Sequence, residues 1–108
     1  MTDFNDRKRG EESKFAFDQE TEFKIAARRN RLLGTWAAGL MGLTEEETDA
    51  YKKAVVQADF EEAGDEDVVR KLLGDLTAAD CDVGEADIRA KLDECTIEAR
   101  RQFMSEQG

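Results

Sequence analysis

The sequence predicts an all-α fold: a four-helix bundle over residues 19–108 that carries a flexible N-terminal segment, residues 1–18. Three observations predict it. The 108 residues include no proline and no histidine, and only 7% are aromatic, so nothing breaks a helix and few β-formers compete. Apolar residues recur at three- and four-residue spacing in four separate stretches. Helix start and stop signals fall between those stretches. The length suits one domain with a single core.

Residues 1–14, MTDFNDRKRGEESK, are mostly charged, and Phe4 is the one large apolar side chain after Met1. Gly10 costs a helix here about 1 kcal/mol relative to alanine. Isolated helices shorter than about 12–15 residues are marginal even without that handicap. The segment is therefore expected to be disordered alone. Wound as a helix, it lines up Phe4, Lys8, Glu11 and Phe15 on one face and Arg7 with Lys14 on another, the pattern of a segment that folds against a foreign surface.

The first helix is expected to begin between Phe15 and Thr21 and to run to Met41. Asp18, Glu20 and Glu22 sit near its positive end, and Gly42 is a C-terminal stop. On a helical wheel Ile25, Leu32, Trp36 and Leu43 share one side, flanked by Leu33 and Leu40, while Lys24, Arg28, Arg31 and Thr35 fall opposite. The apolar character spreads most of the way round towards its end, so this helix is expected to be covered by the others. Arg28, Arg29 and Arg31 near Trp36 form a candidate anion or nucleotide site: cations for phosphates, a ring for stacking. The plainer reading pairs these arginines with the carboxylates of the later helices.

The second helix is announced by Thr44-Glu45-Glu46-Glu47, a capping box. Tyr51, Ala54, Val55 and Ala58 form one stripe and Val56, Phe60 and Ala63 another, with Gly64 as the stop. The third, opened by Asp65 and ending near Ala78, buries Val68, Val69, Leu72, Leu73 and Leu76. Glu66 with Arg70, and Asp67 with Lys71, are expected i, i+4 pairs. The loop TAADCDVG follows, with Asp82 and Glu85 read as a second capping box. The fourth helix, from about Val83 to Met104, sets Ile88, Leu92, Cys95, Ala99 and Phe103 in a core stripe.

The net charge of −10 is uneven. Residues 1–31 hold eight Lys/Arg and seven Asp/Glu, and the remainder eight and nineteen. An acidic body argues against nucleic acid or an anionic membrane as partner. Cys81 and Cys95 lack CxxC spacing and are expected to be free thiols of a cytoplasmic protein, Cys95 as a small buried hydrophobe. No apolar h-region opens the chain and no run is long enough to insert into a bilayer. Without histidine there is no Ser-His-Asp or Cys-His arrangement and no imidazole ligand. Neither GxxxxGK[ST] nor GxGxxG occurs. Tested as an EF-hand from Asp80, the loop puts Gly84 at position 5, Glu85 where glycine is required and Lys91 where the bidentate Glu belongs. The carboxylates Glu61, Glu62, Asp65, Glu66 and Asp67 read as caps and a solvated face. The inventory points to a binding or regulatory protein, not an enzyme, with no cofactor and no metal.

Three stretches together, FNDRKRGEESKF at 4–15, EFKIAARRNRLLGTWA at 22–37 and ADFEEAGDEDVVRKL at 58–72, resemble the zeta-subunit inhibitors of bacterial F-type ATP synthases. The similarity covers nearly the whole chain. The resemblance implies a four-helix bundle with an inhibitory N-terminal segment. That segment is mobile when free and becomes a helix on entering a catalytic α/β interface of the ATPase head, near the rotor (gamma) stalk. It then blocks rotation in the hydrolysis direction. By the family pattern the engaged residues are Phe4, Asp6, Arg7, Lys8, Glu11, Lys14 and Phe15, and the bundle is a stop that docks outside. The implied partners are the alpha, beta and gamma subunits of that head, through which the protein meets the membrane-bound synthase. The competing readings are a helical nucleotide-sensing protein that binds ATP or ADP weakly, and a helical adaptor for another assembly.

Overall fold

The computed structural model describes residues 19–61 and 65–107. Four helices make up the fold: α1 (Gln19–Met41), α2 (Glu45–Glu61), α3 (Glu66–Ala78) and α4 (Glu85–Gln107). No strand occurs among the described residues. The all-α four-helix architecture is the one expected. Phe60, Ala63 and Gly64, assigned above to a second stripe and a stop, lie outside the residues whose side chains are described.

The helix ends show why the chain turns where it does. After α1, Leu43 N–H donates to Ala38 O (3.0 Å) and Gly42 N–H to Gly39 O (3.2 Å), with Gly42 at φ 72°. These are the two bonds of a Schellman motif, and only a left-handed residue closes it, so Gly42 is the stop. The capping box of α2 is present in full: Glu47 N–H donates to Thr44 Oγ1 (3.1 Å) and Thr44 N–H to Glu47 Oε1 (2.8 Å). The end of α3 repeats the Schellman geometry with no glycine. Cys81 N–H reaches Leu76 O (2.9 Å), Asp80 N–H reaches Thr77 O (3.0 Å), and Asp80 takes φ 65°. Aspartate tolerates this region better than most side chains.

Two expected caps are corrected. Asp82 and Glu85 do not form the box that starts α4. Gly84 stands at the cap, and Asp87, three residues on, accepts its N–H at 3.0 Å. Only the reaching-back half of a box exists, because glycine offers no side-chain acceptor. Asp65 precedes α3 but makes no side-chain cap bond; its carboxylate is turned to Arg29 instead.

Helix α1 touches all three others and packs most extensively against α2 and α4. The buried residues of α1 are Ile25, Arg29, Asn30, Leu33, Gly34, Ala37 and Ala38. This stripe is rotated from the expected one. Leu32 and Trp36 lie at its edge, half-buried, and Leu40 is exposed. Small residues explain the rotation. A Cβ on Gly34 would lie 2.9 Å from Lys52 Cα, so α2 approaches α1 more closely than any side chain at position 34 permits. The bulky Leu32 and Trp36 cannot occupy that seam.

The other stripes fall largely as the periodicity predicts, except that Leu73 and Phe103, expected in the core, are half-buried and, among the described residues of α2, only Val55 is fully buried. Val55 of α2, Val68, Val69, Leu72 and Leu76 of α3, and Ile88, Leu92, Cys95 and Ala99 of α4 are buried. Tyr51, Leu73 and Trp36 pack against this cluster half-exposed. Each fully buried Val, Leu or Ile contributes about 1.5–3 kcal/mol. The surface pairs on α3 differ from those expected. Arg70 pairs with Asp67 (2.7 Å), Lys71 with Asp75 (3.0 Å), and Glu66 crosses to Arg89 of α4 (2.8 Å). Asp75 also accepts the Tyr51 hydroxyl at 2.7 Å, tying α2 to α3. Burial, and then this bond to a carboxylate, push the Tyr51 phenol far above its ordinary range.

Candidate functional site

The N-terminal residues Phe4, Asp6, Arg7, Lys8, Glu11, Lys14 and Phe15 lie outside the described residues. The second candidate set, Arg28, Arg29, Arg31 and Trp36, falls within α1, where the four side chains do not share one face.

Arg29 faces inward. Its side chain is 8% exposed and sits between α1, the end of α2 and the start of α3. Its Nη1 donates to Asp65 Oδ1 (3.0 Å), Nε donates to Asn30 Oδ1 (3.1 Å), and Nη2 lies 3.5 Å from Asp59 Oδ2. Asn30, with no exposed surface, donates from Nδ2 to the same Asp59 oxygen at 3.0 Å. Arg29 Nη2 is the one buried side-chain polar atom among the described residues without a hydrogen bond, held by charge alone. Burying an arginine demands paired acceptors, and two carboxylates from different elements supply them. The node therefore fixes where the α2–α3 junction meets α1. Asn30 was the missed signal: an amide in the middle of an apolar stripe requires buried partners.

Arg28 and Arg31 face outward, towards α4 and α2. They line a pocket of about 270 Å³ with Leu32, Thr35, Lys52 and Gln102. Three cations converge here on a body whose net charge is strongly negative. Arg28 is held by Glu106 through two bonds, Nη1 to Oε2 at 2.7 Å and Nη2 to Oε1 at 2.8 Å, with Gln102 Oε1 at 3.4 Å. Hydrogen bonding by Arg28 holds the Glu106 carboxyl below the usual range, and Glu106 in turn raises Arg28. Arg31 makes no ion pair among the described residues, and its carbonyl accepts the Thr35 hydroxyl at 3.0 Å. Lys52 was not foreseen. It comes from α2, and nothing in its local sequence announces its place; the Gly34 seam brings it in.

Trp36 lies on the other side of Leu32. It lines an apolar groove of about 460 Å³ with Leu32, Lys91, Glu94, Cys95, Ile97 and Glu98. Lys91 Nζ stands 6.0 Å from the Trp36 ring. Thus Arg28 and Arg31 share one pocket, Trp36 borders the next, and Arg29 belongs to neither. Leu32 separates the two hollows and lines both. Cys95 at the groove floor is raised by burial, which suppresses its thiolate. Cys81 is also a free thiol, and its Sγ donates to Leu40 O at 3.4 Å.

No group of three His, Cys, Asp or Glu poised for a metal occurs among the described residues, and none of their helices is long and apolar enough to cross a membrane. The molecule is a small four-helix bundle protein with an ionic node inside and a basic pocket outside. The model of the family "ATPase inhibitor subunit zeta" matches residues 1–102, and the chain belongs to that family. A chain in a solved solution NMR structure is similar to it at 48% identity and a TM-score of 0.70, spanning 79% of this chain and 96% of that one. No curated protein matches the chain.

Proposed function

We propose that this chain inhibits ATP hydrolysis by an F-type ATP synthase through residues 1–18, with the bundle as the anchor. The segment enters a catalytic α/β interface of the head near the gamma stalk, becomes helical there, and blocks rotation in the hydrolysis direction. Phe4 and Phe15 supply apolar contacts, while Asp6, Arg7, Lys8, Glu11 and Lys14 meet counter-charges. The observation that carries this reading is the family match, which takes in the N-terminal segment together with the bundle. The physics supports it: a short charged segment with Gly10 at its centre lacks the contacts to hold a helix alone, and a cleft between subunits provides them. Deleting residues 2–18 tests it. The described core lies within residues 25–99, so thermal unfolding of the bundle should persist while inhibition of the purified ATPase head is lost. Full inhibition by the deleted chain refutes the proposal.

The pocket of Arg28, Arg31 and Lys52 favours a second, compatible reading, weak binding of ATP or ADP. At about 270 Å³ it is smaller than most small-molecule sites, of roughly 300–1,000 Å³, and suits phosphate groups more than a whole nucleotide. The base would lie across Leu32 against Trp36 in the neighbouring groove. Titrating ATP while following Trp36 fluorescence tests this, and no saturable change at millimolar nucleotide refutes it.

A further inference from the structure

Resting on the second reading above, we infer that Glu106 is an internal counter-anion that occupies the basic pocket's principal donor, so an incoming anion must displace the last turn of α4 to bind. Arg28 is the only one of the pocket's three cations held in a two-bond fork, and its partner comes from the C-terminal turn of the chain's last helix. A guanidinium with both Nη atoms committed to one carboxylate presents no fork to a phosphate. The preceding turn contributes Gln102, whose Oε1 points at Arg28 and whose Nε2 donates to Glu98 at 2.9 Å. Pocket occupancy and the docking of residues 102–106 are therefore alternatives for Arg28.

The arrangement has the properties of a switch set near balance. Glu106 is 58% exposed on its side chain and Arg28 is 24% exposed, so water can take over the carboxylate once it is released. The last turn of a helix has unpaired carbonyls and few contacts, so it is the cheapest part of α4 to loosen. Arg31 and Lys52 attract the anion without a competitor of this kind: Arg31 has no ion pair among the described residues, and the Lys52 contact to Asp49 is long, at 3.8 Å. Anion binding is thereby coupled to release of the chain's C-terminal turn, and by reciprocity anything that pulls that turn away strengthens anion binding.

The test titrates the full-length chain, Glu106→Gln and the charge-matched control Asp93→Asn with ATP and separately with inorganic pyrophosphate, following backbone amide signals at low salt. Both substitutions change net charge equally and lie on α4, where Asp93 is exposed. Glu106→Gln is expected to bind about two- to fivefold more tightly than wild type, since an exposed ion pair is worth up to about fivefold in an equilibrium constant. Asp93→Asn should change little. In the wild type, residues 102–107 should shift and lose exchange protection as the anion binds. Equal gains in the two variants, or binding that leaves residues 102–107 unmoved, overturn the gate while leaving the anion pocket intact. Absence of binding by all three proteins at millimolar ligand overturns the pocket, and the gate with it.

Discussion

Asp59 offers the sharpest test of how the bundle is held together. It lies near the end of α2, 16% exposed at the side chain, and faces Arg29 Nη2 at 3.5 Å and Asn30 Nδ2 at 3.0 Å. Asp59→Ala leaves a buried guanidinium with a single carboxylate and takes the partner from the buried Asn30 Nδ2. Stripping one partner from a buried ion pair costs about 3–5 kcal/mol. Asp65 remains 3.0 Å from Nη1 and is half-exposed, which places this case at the lower end. The lost Asn30 bond adds about 1 kcal/mol. The expected loss is about 4 kcal/mol, against a total stability of about 5–15 kcal/mol for a domain of this kind. The midpoint of thermal unfolding should fall by about 15–30 °C. Urea unfolding of Asp59→Ala, Arg29→Met and the double variant measures it, and the double-variant cycle should return a coupling above about 1 kcal/mol. A loss below about 0.5 kcal/mol for Asp59→Ala, or additivity with Arg29→Met, would show that the node is not what seats the α2–α3 junction.

Four further outcomes are expected. Gly34→Ala should destabilise by about 1–2 kcal/mol, because its Cβ would meet Lys52 Cα at 2.9 Å and overpacking outweighs the helix-propensity gain; Gly74→Ala, with open space around it, should stabilise by about 0.5–1 kcal/mol in the same unfolding assay. Hydrogen bonds from Arg101 and then Gln102 hold the Glu98 carboxyl down to about 2. Its favourable contribution is thus complete above the ordinary carboxylate range and fades as pH falls through about 2, and a carboxyl-carbon NMR titration should find the midpoint there and see it rise in Arg101→Ala. If residues 1–18 bind as a helix, Gly10→Ala should lower the concentration for half-inhibition of ATP hydrolysis by up to about fivefold, from about 1 kcal/mol of propensity; an unchanged value would argue against a helical bound form.

Much of the fold was legible because burial and periodicity agree. Val68, Val69, Leu72 and Leu76 repeat at helical spacing with charged residues between them, and all four are buried. The stripe of α1 was set by helical spacing on Ile25, Leu32, Trp36 and Leu43, and Leu32 and Trp36 prove to lie at its edge. Leu33, expected only as a flank, is fully buried, and beside it the seam belongs to Gly34, Ala37 and Ala38, whose smallness lets helices close in. Arg29 was legible as a cation that pairs with carboxylates of the later helices, as it does, but not as a buried one. Its burial depends on Asp59 and Asp65, 30 and 36 positions further along the chain, and such pairing leaves no local trace. Lys52 joined the basic pocket for the same non-local reason. The Asp80 turn went unforeseen because glycine is the usual sign of a left-handed cap, and this chain uses aspartate.

Hydrogen exchange read by mass spectrometry, on the chain alone and saturated with the ATPase head, tests most directly whether residues 1–18 do the inhibiting. Peptides spanning residues 4–15 should exchange freely in the lone chain and gain strong protection in the complex, with the core of α1 and α3 little changed. If those peptides stay unprotected in an inhibited complex while the bundle's helices gain protection, the bundle is the inhibitor and the account of the segment is wrong.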